Sequence, residues 1–293
     1  MNNLTAEIES KRVLYYRHLS RIRNLPSIPS LMLEVSRLLD DPRTSATELG
    51  KIISQDQAMV AKVLMVANSP LYGIPRKVST VEFAIVILGF NHIKNIVVAL
   101  SVMDAFQGKS KVKWSRNKFW THSLATGVLA KRIAVDLGYG KSGEAFTAGL
   151  LHDLGISAIQ RYFTKEFVEI TNLVEREELS YDSAEKGTIG LTHSEIGEFL
   201  IKNWNLPDSL SDAVKYHHSP SDAPIDKVLP SIIHLADYMT QKYQQGEFEW
   251  DENMKFDNGI IQNLGLGDTS YLNSFVDSYK DLFTEHITNL EVG

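Results

Sequence analysis

The stretch Phe146-Thr147-Ala148-Gly149-Leu150-Leu151-His152-Asp153-Leu154-Gly155 decides how the whole chain is interpreted. It is an apolar run that ends in an adjacent histidine and aspartate. Burying an imidazole and a carboxylate at the end of such a helix is costly unless a metal ion or a hydrogen-bond network pairs with them. We expect a helix over 144–154, ended by Gly155.

More imidazoles and another carboxylate occur elsewhere in the chain. His122 lies thirty positions before the pair, and His193, His217, His218 and Asp237 follow it. A single buried histidine is more often a hydrogen-bonded core residue, but five of them would need five separate partners. Mixed imidazole and carboxylate ligands suit divalent first-row metals. The set therefore favours a metal site over five independent structural histidines.

Composition narrows the class of protein. The 293 residues are 43% hydrophobic, enough for one large domain or two modest ones, and we expect two lobes. The net charge of -6 argues against generic nucleic-acid binding, so DNA is not an expected partner. Cysteine is absent, so any metal must be held by histidine, aspartate and glutamate.

Targeting signals are not evident in the sequence. The first residues lack the basic segment and apolar run of a secretory signal, so we expect a cytoplasmic protein. The longest apolar stretches, 81–89 and 96–102, fall well short of the roughly 20 residues that a membrane helix needs. We therefore expect no membrane partner.

Helical periodicity and capping patterns run along the chain, without a long alternation of β-branched residues, so we predict an all-α fold. Asp56 is a plausible N-cap, and Ser79–Glu82 and Thr192–Glu195 have the capping-box pattern. Segments 163–178 and 181–187 are predicted to be helical and largely exposed.

The predicted division of the chain has three parts. Residues 1–24 form an N-terminal helical arm, 25–107 an N-terminal helical lobe, and 114–293 a metal-binding helical lobe with C-terminal helices. The short, polar and basic segment 108–113 marks the boundary between the lobes.

The order of the candidate ligands resembles the HD superfamily of metal-dependent phosphohydrolases. That pattern is a histidine, an adjacent His-Asp pair and a distant aspartate, matched here by His122, His152, Asp153 and Asp237. The additional residues His193, His217 and His218 look like the extra ligands of the HD-GYP branch, which hydrolyses cyclic di-GMP. The resemblance implies one or two divalent ions, with Fe or Mn favoured and Zn or Mg as alternatives. In an active centre Asp153 would bridge two ions.

The N-terminal half resembles the HDOD family, the HD-related output domains of bacterial signalling proteins. The resemblance covers roughly 20–240 and rests on four runs: Leu25-Pro26-Ser27-Ile28-Pro29, Ile53-Ser54-Gln55-Asp56, Val66-Ala67-Asn68-Ser69-Pro70-Leu71-Tyr72-Gly73 and Ala84-Ile85-Val86-Ile87-Leu88-Gly89-Phe90. It implies an N-terminal helical bundle packed on an HD-like helical lobe. HDOD domains are generally thought to have lost phosphohydrolase activity.

Several departures from the HD-GYP pattern weaken an enzymatic interpretation. Ile156 stands where that branch has a lysine after the glycine, and Lys118 stands where its trinuclear members have a carboxylate. The loop after the paired histidines, Ser219-Pro220-Ser221-Asp222, lacks the Gly-Tyr-Pro motif. We expect His234 to be a surface histidine, although it could also support a ligand. His18, His92 and His286 are assigned no role.

Three functions remain. The first is a regulatory or output module in bacterial signalling that keeps an HD-like metal site, binds a protein partner and lacks efficient catalysis. The second is a metal-dependent phosphohydrolase acting on a nucleotide or cyclic dinucleotide, with Asp153 as its catalytic residue. The third is a scaffold with an empty site. The sequence does not specify an oligomeric state.

Overall fold

The computed structural model describes residues 2–22, 30–39, 41, 43–69, 72–106, 115–177, 179–244, 248, 250 and 255–282. Every regular element in these ranges is a helix, which confirms the predicted all-α class. Six helices precede residue 107: α1 (Asn2–Arg21), α2 (Ser30–Leu39), α3 (Ala46–Ile53), α4 (Gln57–Ala67), α5 (Val81–Leu88) and α6 (Phe90–Ala105).

The second half carries the candidate ligands on a longer series of helices. These are α7 (Arg116–Asp136), α8 (Ser142–Leu151), α9 (Leu154–Tyr162), α10 (Thr164–Glu177), α11 (Tyr181–Ile189), α12 (His193–Asn203), α13 (Asp208–Lys215), a 3-10 turn (Pro220–Asp222), α14 (Val228–Lys242), α15 (Ile260–Asn263) and α16 (Thr269–Asp277).

Helix starts follow local capping chemistry. Asp56 accepts the hydrogen bond expected of an N-cap, and the Thr192–Glu195 capping box is present in full, so both predictions are confirmed. The predicted box over Ser79–Glu82 is wrong by one residue, because Thr80 caps α5 and accepts from the Phe83 amide. The hydroxyls of Ser79 and Thr80 can each cap a helix. The local sequence therefore does not distinguish between these two neighbours.

Gly155 does not end a helix, contrary to the prediction. α8 ends at Leu151, and Gly155 lies in the first turn of α9, a helix that the sequence did not predict. A Cβ at this position would lie 1.9 Å from the carbonyl oxygen of His193. The glycine is therefore required by the close approach of α9 to α12, because any side chain would collide with that backbone.

The buried apolar side chains form one core that includes both halves of the chain. α6 packs on α8, and α8 packs on α7 where two glycines meet. A Cβ on Gly149 would lie 2.9 Å from the Gly127 Cα, so the two helices cross at backbone distance. This crossing holds α7 beside the end of α8. It brings His122, in the first half of α7, close to the His-Asp pair that follows α8.

Some predictions fall outside the described residues. They include the break at 25–29, the whole boundary segment 108–113, and the part of the last predicted helix beyond residue 282. The three-part division of the chain stays a prediction. Within the described ranges, none of the helices combines the length and the apolar character needed to cross a bilayer.

Candidate metal centre

The seven candidate ligands come from five places in the fold and meet in one cluster. His122 lies on α7, His152 and Asp153 between α8 and α9, His193 at the start of α12, His217 and His218 after α13, and Asp237 on α14. Six of the side chains are at most 1% exposed, and His218 is half-buried. Residues far apart in sequence thus converge on one buried point.

The first group of potential ligands comprises His122, His152 and Asp237. His122 Nε2 lies 3.3 Å from His152 Nε2 and 3.2 Å from Asp237 Oδ1. His152 Nε2 lies 3.7 Å from the same carboxylate oxygen. We call this set the mixed-ligand group, because it combines imidazoles with a carboxylate.

The second group comprises His193, His217 and His218. His193 Nε2 lies 3.4 Å from His217 Nε2 and 3.0 Å from His218 Nε2. We call this set the three-histidine group. In each group the three potential ligand atoms lie within 4.8 Å of one another, which is close enough to hold one metal ion.

The Asp153 carboxylate lies between the two groups. Its Oδ2 is 3.2 Å from His152 Nε2 and 3.7 Å from His122 Nε2, in the mixed-ligand group. Its Oδ1 is 3.5 Å from His193 Nε2 and 3.7 Å from His217 Nε2, in the three-histidine group. One carboxylate therefore presents one oxygen to each group, which is the arrangement of a bridging ligand.

Hydrogen bonds on the outer ring nitrogens set the imidazole tautomers. His152 Nδ1 donates to the Gly149 carbonyl at 2.7 Å, and His217 Nδ1 donates to the Val214 carbonyl at 2.6 Å. A carbonyl oxygen only accepts, so Nδ1 carries the proton in both rings. In the neutral rings each Nε2 then turns a lone pair towards the centre, as metal ligation requires.

The polar atoms of this cluster fit a divalent metal. Both Asp153 oxygens and Asp237 Oδ2 are buried and have no hydrogen-bond partner among the described residues. Unpaired buried oxygens are costly, and two imidazole nitrogens facing each other at about 3 Å cannot both be acceptors without repulsion. A cation resolves both problems, so the His and Asp groups can bind a divalent metal.

In the metal-free cluster, the carboxylates and imidazoles shift one another's pKa. Burial opposes the charged form of His152, yet Asp153 and Asp237 outweigh it and raise the pKa of His152 well above its usual value. Burial alone would raise the pKa of Asp153, but His152, His193 and His122 lower it. Without metal, the two carboxylates therefore favour the protonated form of His152.

His217 shows the opposite shift within the three-histidine group. Burial, and then the neighbouring imidazoles of His218, His152 and His193, hold its pKa well below the ordinary value. His217 therefore stays neutral and keeps its Nε2 lone pair. The three-histidine group thus offers only ring nitrogens as ligands, whereas the mixed-ligand group includes a carboxylate of its own.

His234 is buried, which corrects the expectation of a surface histidine. Its Nδ1 donates to the His217 carbonyl at 2.7 Å, and its Nε2 accepts from the Asp257 amide at 2.9 Å. The ring therefore ties α14 to the backbone of a candidate ligand. The spacing of His234 from Asp237 was the available signal, because it puts both residues on one face of α14.

Glu185 is part of the site and was missed by the sequence analysis. It lies on α11, which was predicted to be largely exposed, yet its side chain is fully buried. Its carboxylate contacts both the backbone and the ring of His193. Nothing in the local pattern indicated this, because α11 is a short polar helix that packs on α10 and α1 and places Glu185 against the start of α12.

A cavity of about 510 Å³ adjoins the centre on the His218 side. Its lining includes His218, Lys186, Lys215, Tyr181 and Trp250. Both of these lysines are already paired with acids, Lys186 with Asp182 at 2.8 Å and Lys215 with Glu198 at 3.0 Å. His218 is the one candidate ligand in this lining, so the cavity borders the three-histidine group.

The departures from the HD-GYP pattern lie close to the ligands. Ile156 is completely buried on α9 and presents no charge to the centre. Lys118 lies on α7 one turn before His122. The phosphate-facing lysine and the extra carboxylate of that branch therefore have no counterpart at these positions.

A family model and one curated relative match the chain. The HDOD domain model matches residues 25–220, more than half of the chain. An uncharacterized protein of Treponema pallidum (strain Nichols) is 25% identical over 234 residues. The match covers 79% of this chain and 45% of that relative, so the chain spans about half of the relative's length.

Solved structures share the fold. An HDOD domain protein of unknown function from Geobacter sulfurreducens is 27% identical, with a TM-score of 0.76 and coverage of 97% of this chain and 99% of that one. A candidate signal transduction protein from Marinobacter aquaeolei VT8 is 19% identical, with a TM-score of 0.68 over 97% and 66% of the two chains. A candidate metal-dependent phosphohydrolase from Shewanella amazonensis SB2B is 18% identical, with a TM-score of 0.66 over 99% of both.

Proposed function

The chain belongs to the HDOD family, and from this we propose that it is a regulatory module of bacterial signalling whose HD-like centre binds one or two divalent ions without efficient catalysis. His122, His152 and Asp237 would hold one ion, and His193, His217 and His218 would hold a second, with the Asp153 carboxylate placed between the two groups. Fe or Mn is favoured, with Zn or Mg as alternatives. The module acts in the cytoplasm through a protein partner.

One observation carries the metal-binding part of this proposal. The two oxygens of the buried Asp153 carboxylate face two different ligand groups, and neither has a hydrogen-bond partner among the described residues. A structural carboxylate at such a position would collect N–H donors. A carboxylate that bridges two cations has no need of them.

The regulatory part of the proposal rests on what surrounds the ligands. Divalent ions at such a centre would supply Lewis acidity and lower the pKa of water. Catalysis also needs groups that bind and orient a substrate, and Ile156 occupies the position of a phosphate-facing cation. The fold is shared with a candidate signal transduction protein, which favours a protein partner.

The rival function is a metal-dependent phosphohydrolase acting on a nucleotide or cyclic dinucleotide. The cavity beside His218 favours it, because this cavity gives a small molecule a route to the three-histidine group. The fold is also shared with a candidate metal-dependent phosphohydrolase. In this case Asp153 would be catalytic.

Metal analysis tests the proposal first. We expect one to two equivalents of Fe, Mn or Zn in the purified protein or after reconstitution. Less than about a tenth of an equivalent, without uptake on reconstitution, would contradict the metal site and leave a scaffold with an empty centre. Because the ligand set is buried, metal bound there is distinct from metal held loosely at the protein surface.

Turnover assays then separate the two remaining functions. The metal-loaded protein is incubated with cyclic dinucleotides and nucleoside phosphates, and the released products are quantified. We expect no turnover above the rate of the Asp153→Ala variant. Turnover that Asp153→Ala abolishes would establish the phosphohydrolase instead.

A further inference from the structure

The Glu185 carboxylate is buried on α11 and satisfied by N–H donors from two other parts of the chain. Its Oε2 accepts from the backbone amide of His193 at 2.7 Å. Both oxygens lie 3.0 Å from His193 Nδ1, and Oε1 accepts from Trp250 Nε1 at 2.8 Å. Burying a carboxylate is costly, and these donors offset the cost.

This carboxylate fixes both the position and the tautomer of His193. An ionised carboxylate only accepts, so His193 Nδ1 carries the proton and Nε2 carries the lone pair. That Nε2 faces the centre, 3.0 Å from His218 Nε2 and 3.5 Å from Asp153 Oδ1. On its other side, the His193 carbonyl lies against Gly155, where no side chain fits. The ligand is therefore held from two directions.

The group that accepts the hydrogen bond from Nδ1 of His193 differs in charge from the groups that accept from Nδ1 of His152 and His217. His152 and His217 donate Nδ1 to neutral backbone carbonyls, whereas His193 donates to a full negative charge. A carboxylate behind an imidazole raises its basicity and its strength as a metal ligand. None of the three ligands of the three-histidine group is a carboxylate, and Glu185 supplies a negative charge directly behind one of them.

Trp250 completes the arrangement behind Glu185. Its ring stacks on Tyr181 at 4.2 Å and on Phe167 at 5.0 Å between centroids. This stacking fixes the direction of the indole N–H, which donates a hydrogen bond to the Glu185 carboxylate. The chain of contacts runs from Trp250 through Glu185 to His193, and from there to the centre.

We infer that Glu185 is a positioning residue that sets the metal affinity of the three-histidine group, and that Trp250 orients it. The inference rests on the proposed metal centre, and it assigns Glu185, which lies behind a ligand, to the three-histidine group. The hydrogen bonds of the Glu185 carboxylate go to His193 and Trp250, away from the mixed-ligand group, so its effect is confined to one ion.

Titration of the metal-free full chain with Co²⁺, followed by calorimetry and by the absorption of bound Co²⁺, tests this inference. The ion of the three-histidine group is defined as the one lost in His218→Ala. In Glu185→Gln we expect that ion to bind roughly 10–100-fold more weakly, because one carboxamide oxygen cannot serve all the N–H donors. The other ion should keep its affinity within about twofold.

Matched variants separate positioning from loss of fold. Glu198→Gln changes a carboxylate on α12 that pairs with Lys202 and Lys215, and it should alter neither ion. Trp250→Phe keeps an aromatic ring in the stack but removes the N–H, and it should weaken the same ion as Glu185→Gln by a smaller factor. Thermal unfolding of each metal-free variant shows whether it is folded.

The ring nitrogens of His193 provide a readout that a merely structural role would not move. In protein labelled with ¹⁵N-histidine, the metal-free wild type should show His193 with its proton fixed on Nδ1. Glu185→Gln should show exchange between the two neutral tautomers. Circular dichroism should be unchanged between the two proteins.

The outcomes distinguish this inference from the proposal beneath it. If the wild type takes up no Co²⁺, both the metal centre and the role of Glu185 are wrong. If the wild type binds Co²⁺ and Glu185→Gln binds it equally well, or weakens both ions alike, only the role of Glu185 is wrong. Loss at one ion with an altered His193 tautomer supports it.

Discussion

Two regions of this molecule bury histidines in opposite surroundings. In the N-terminal half, His92 Nε2 lies 2.6 Å from the Tyr72 hydroxyl, and its ring packs edge-on against Phe146. In the candidate metal centre, five imidazoles and two aspartates converge, and His152 lies 3.2 Å from a carboxylate oxygen. Burial is common to both regions, whereas the nearby carboxylates belong to the metal centre.

The pKa shifts report this difference. Burial, with a further contribution from the Lys131 amine, lowers the pKa of His92 to about 3. His152 is at least as buried, yet its pKa is raised because two carboxylates outweigh burial. A buried histidine is therefore structural when its partner is a neutral hydroxyl. It becomes a candidate ligand when its Nε2 faces carboxylates and other imidazoles.

The largest expected effect comes from Asp153→Asn. Removing the charge of the carboxylate between the two groups should lower the affinity for the more weakly held ion by about 100-fold or more, since an uncompensated buried charge costs about 3 kcal/mol. Metal titration measures it. His92→Phe is the matched change in the other region and should leave metal content at the wild-type value. Equal losses in both variants would remove the distinction between the regions.

Gly155→Ala should destabilise the protein by about 3 kcal/mol, because the added Cβ would collide with the His193 carbonyl and push α12 away. Urea unfolding of the metal-free protein measures the effect. Gly187→Ala on α11 is the control, since nothing lies within 4 Å of its added Cβ. That change should stabilise the helix by about 0.5–1 kcal/mol. Similar stabilities for the two variants would contradict the close approach of α9 to α12.

The low pKa of His92 predicts that acid lowers the stability of the folded protein. The folded pKa of about 3 lies below the ordinary value of 6.5, so the unfolded chain binds the proton more readily. Its contribution to stability is present above pH 6.5 and is lost as the pH falls towards 3, by up to about 1.4 kcal/mol per pH unit.

Urea unfolding of metal-free wild type and His92→Phe at pH 7 and pH 5 isolates this effect. The wild type should lose more stability than the variant between the two values. A wild type whose stability falls no faster than that of His92→Phe would mean that this ring is protonated in the folded protein.

The smallest expected effect lies outside both regions. Arg12 on α1 pairs with Glu195 of the α12 capping box at 2.6 Å, and both side chains are partly exposed. Arg12→Ala should cost only about 0.5 kcal/mol in unfolding free energy, because solvent screens such pairs. Metal content should not change. A loss of metal in this variant would show that the arm helix holds the centre together.

Local patterns were sufficient for much of the fold. Caps such as Asp56 and Thr192 act within one turn, so the sequence alone places them. The candidate ligands were found because metals require imidazole and carboxylate groups, and these residue types are readable without coordinates. Their convergence in space agrees with the resemblance to the HD pattern, and their role as ligands stays a prediction.

Other features depend on helices that are distant in sequence. His234, Gly155 and Glu185 were misjudged or missed, since each acquires its role from a partner on another element. Burial depends on packing: the buried side of a short polar helix such as α11 is defined only once α10, α1 and the start of α12 lie against it.

The sequence by itself determined the all-α class, the helix starts that depend on local capping, and the chemical types of the candidate ligands. The tertiary structure decided which oxygen of Asp153 faces which group, which carboxylate supports His193, and which buried histidine stands apart from the centre. The physical reason is one of range. Capping and periodicity act over a few residues, whereas ligand geometry and desolvation arise only when distant helices pack together.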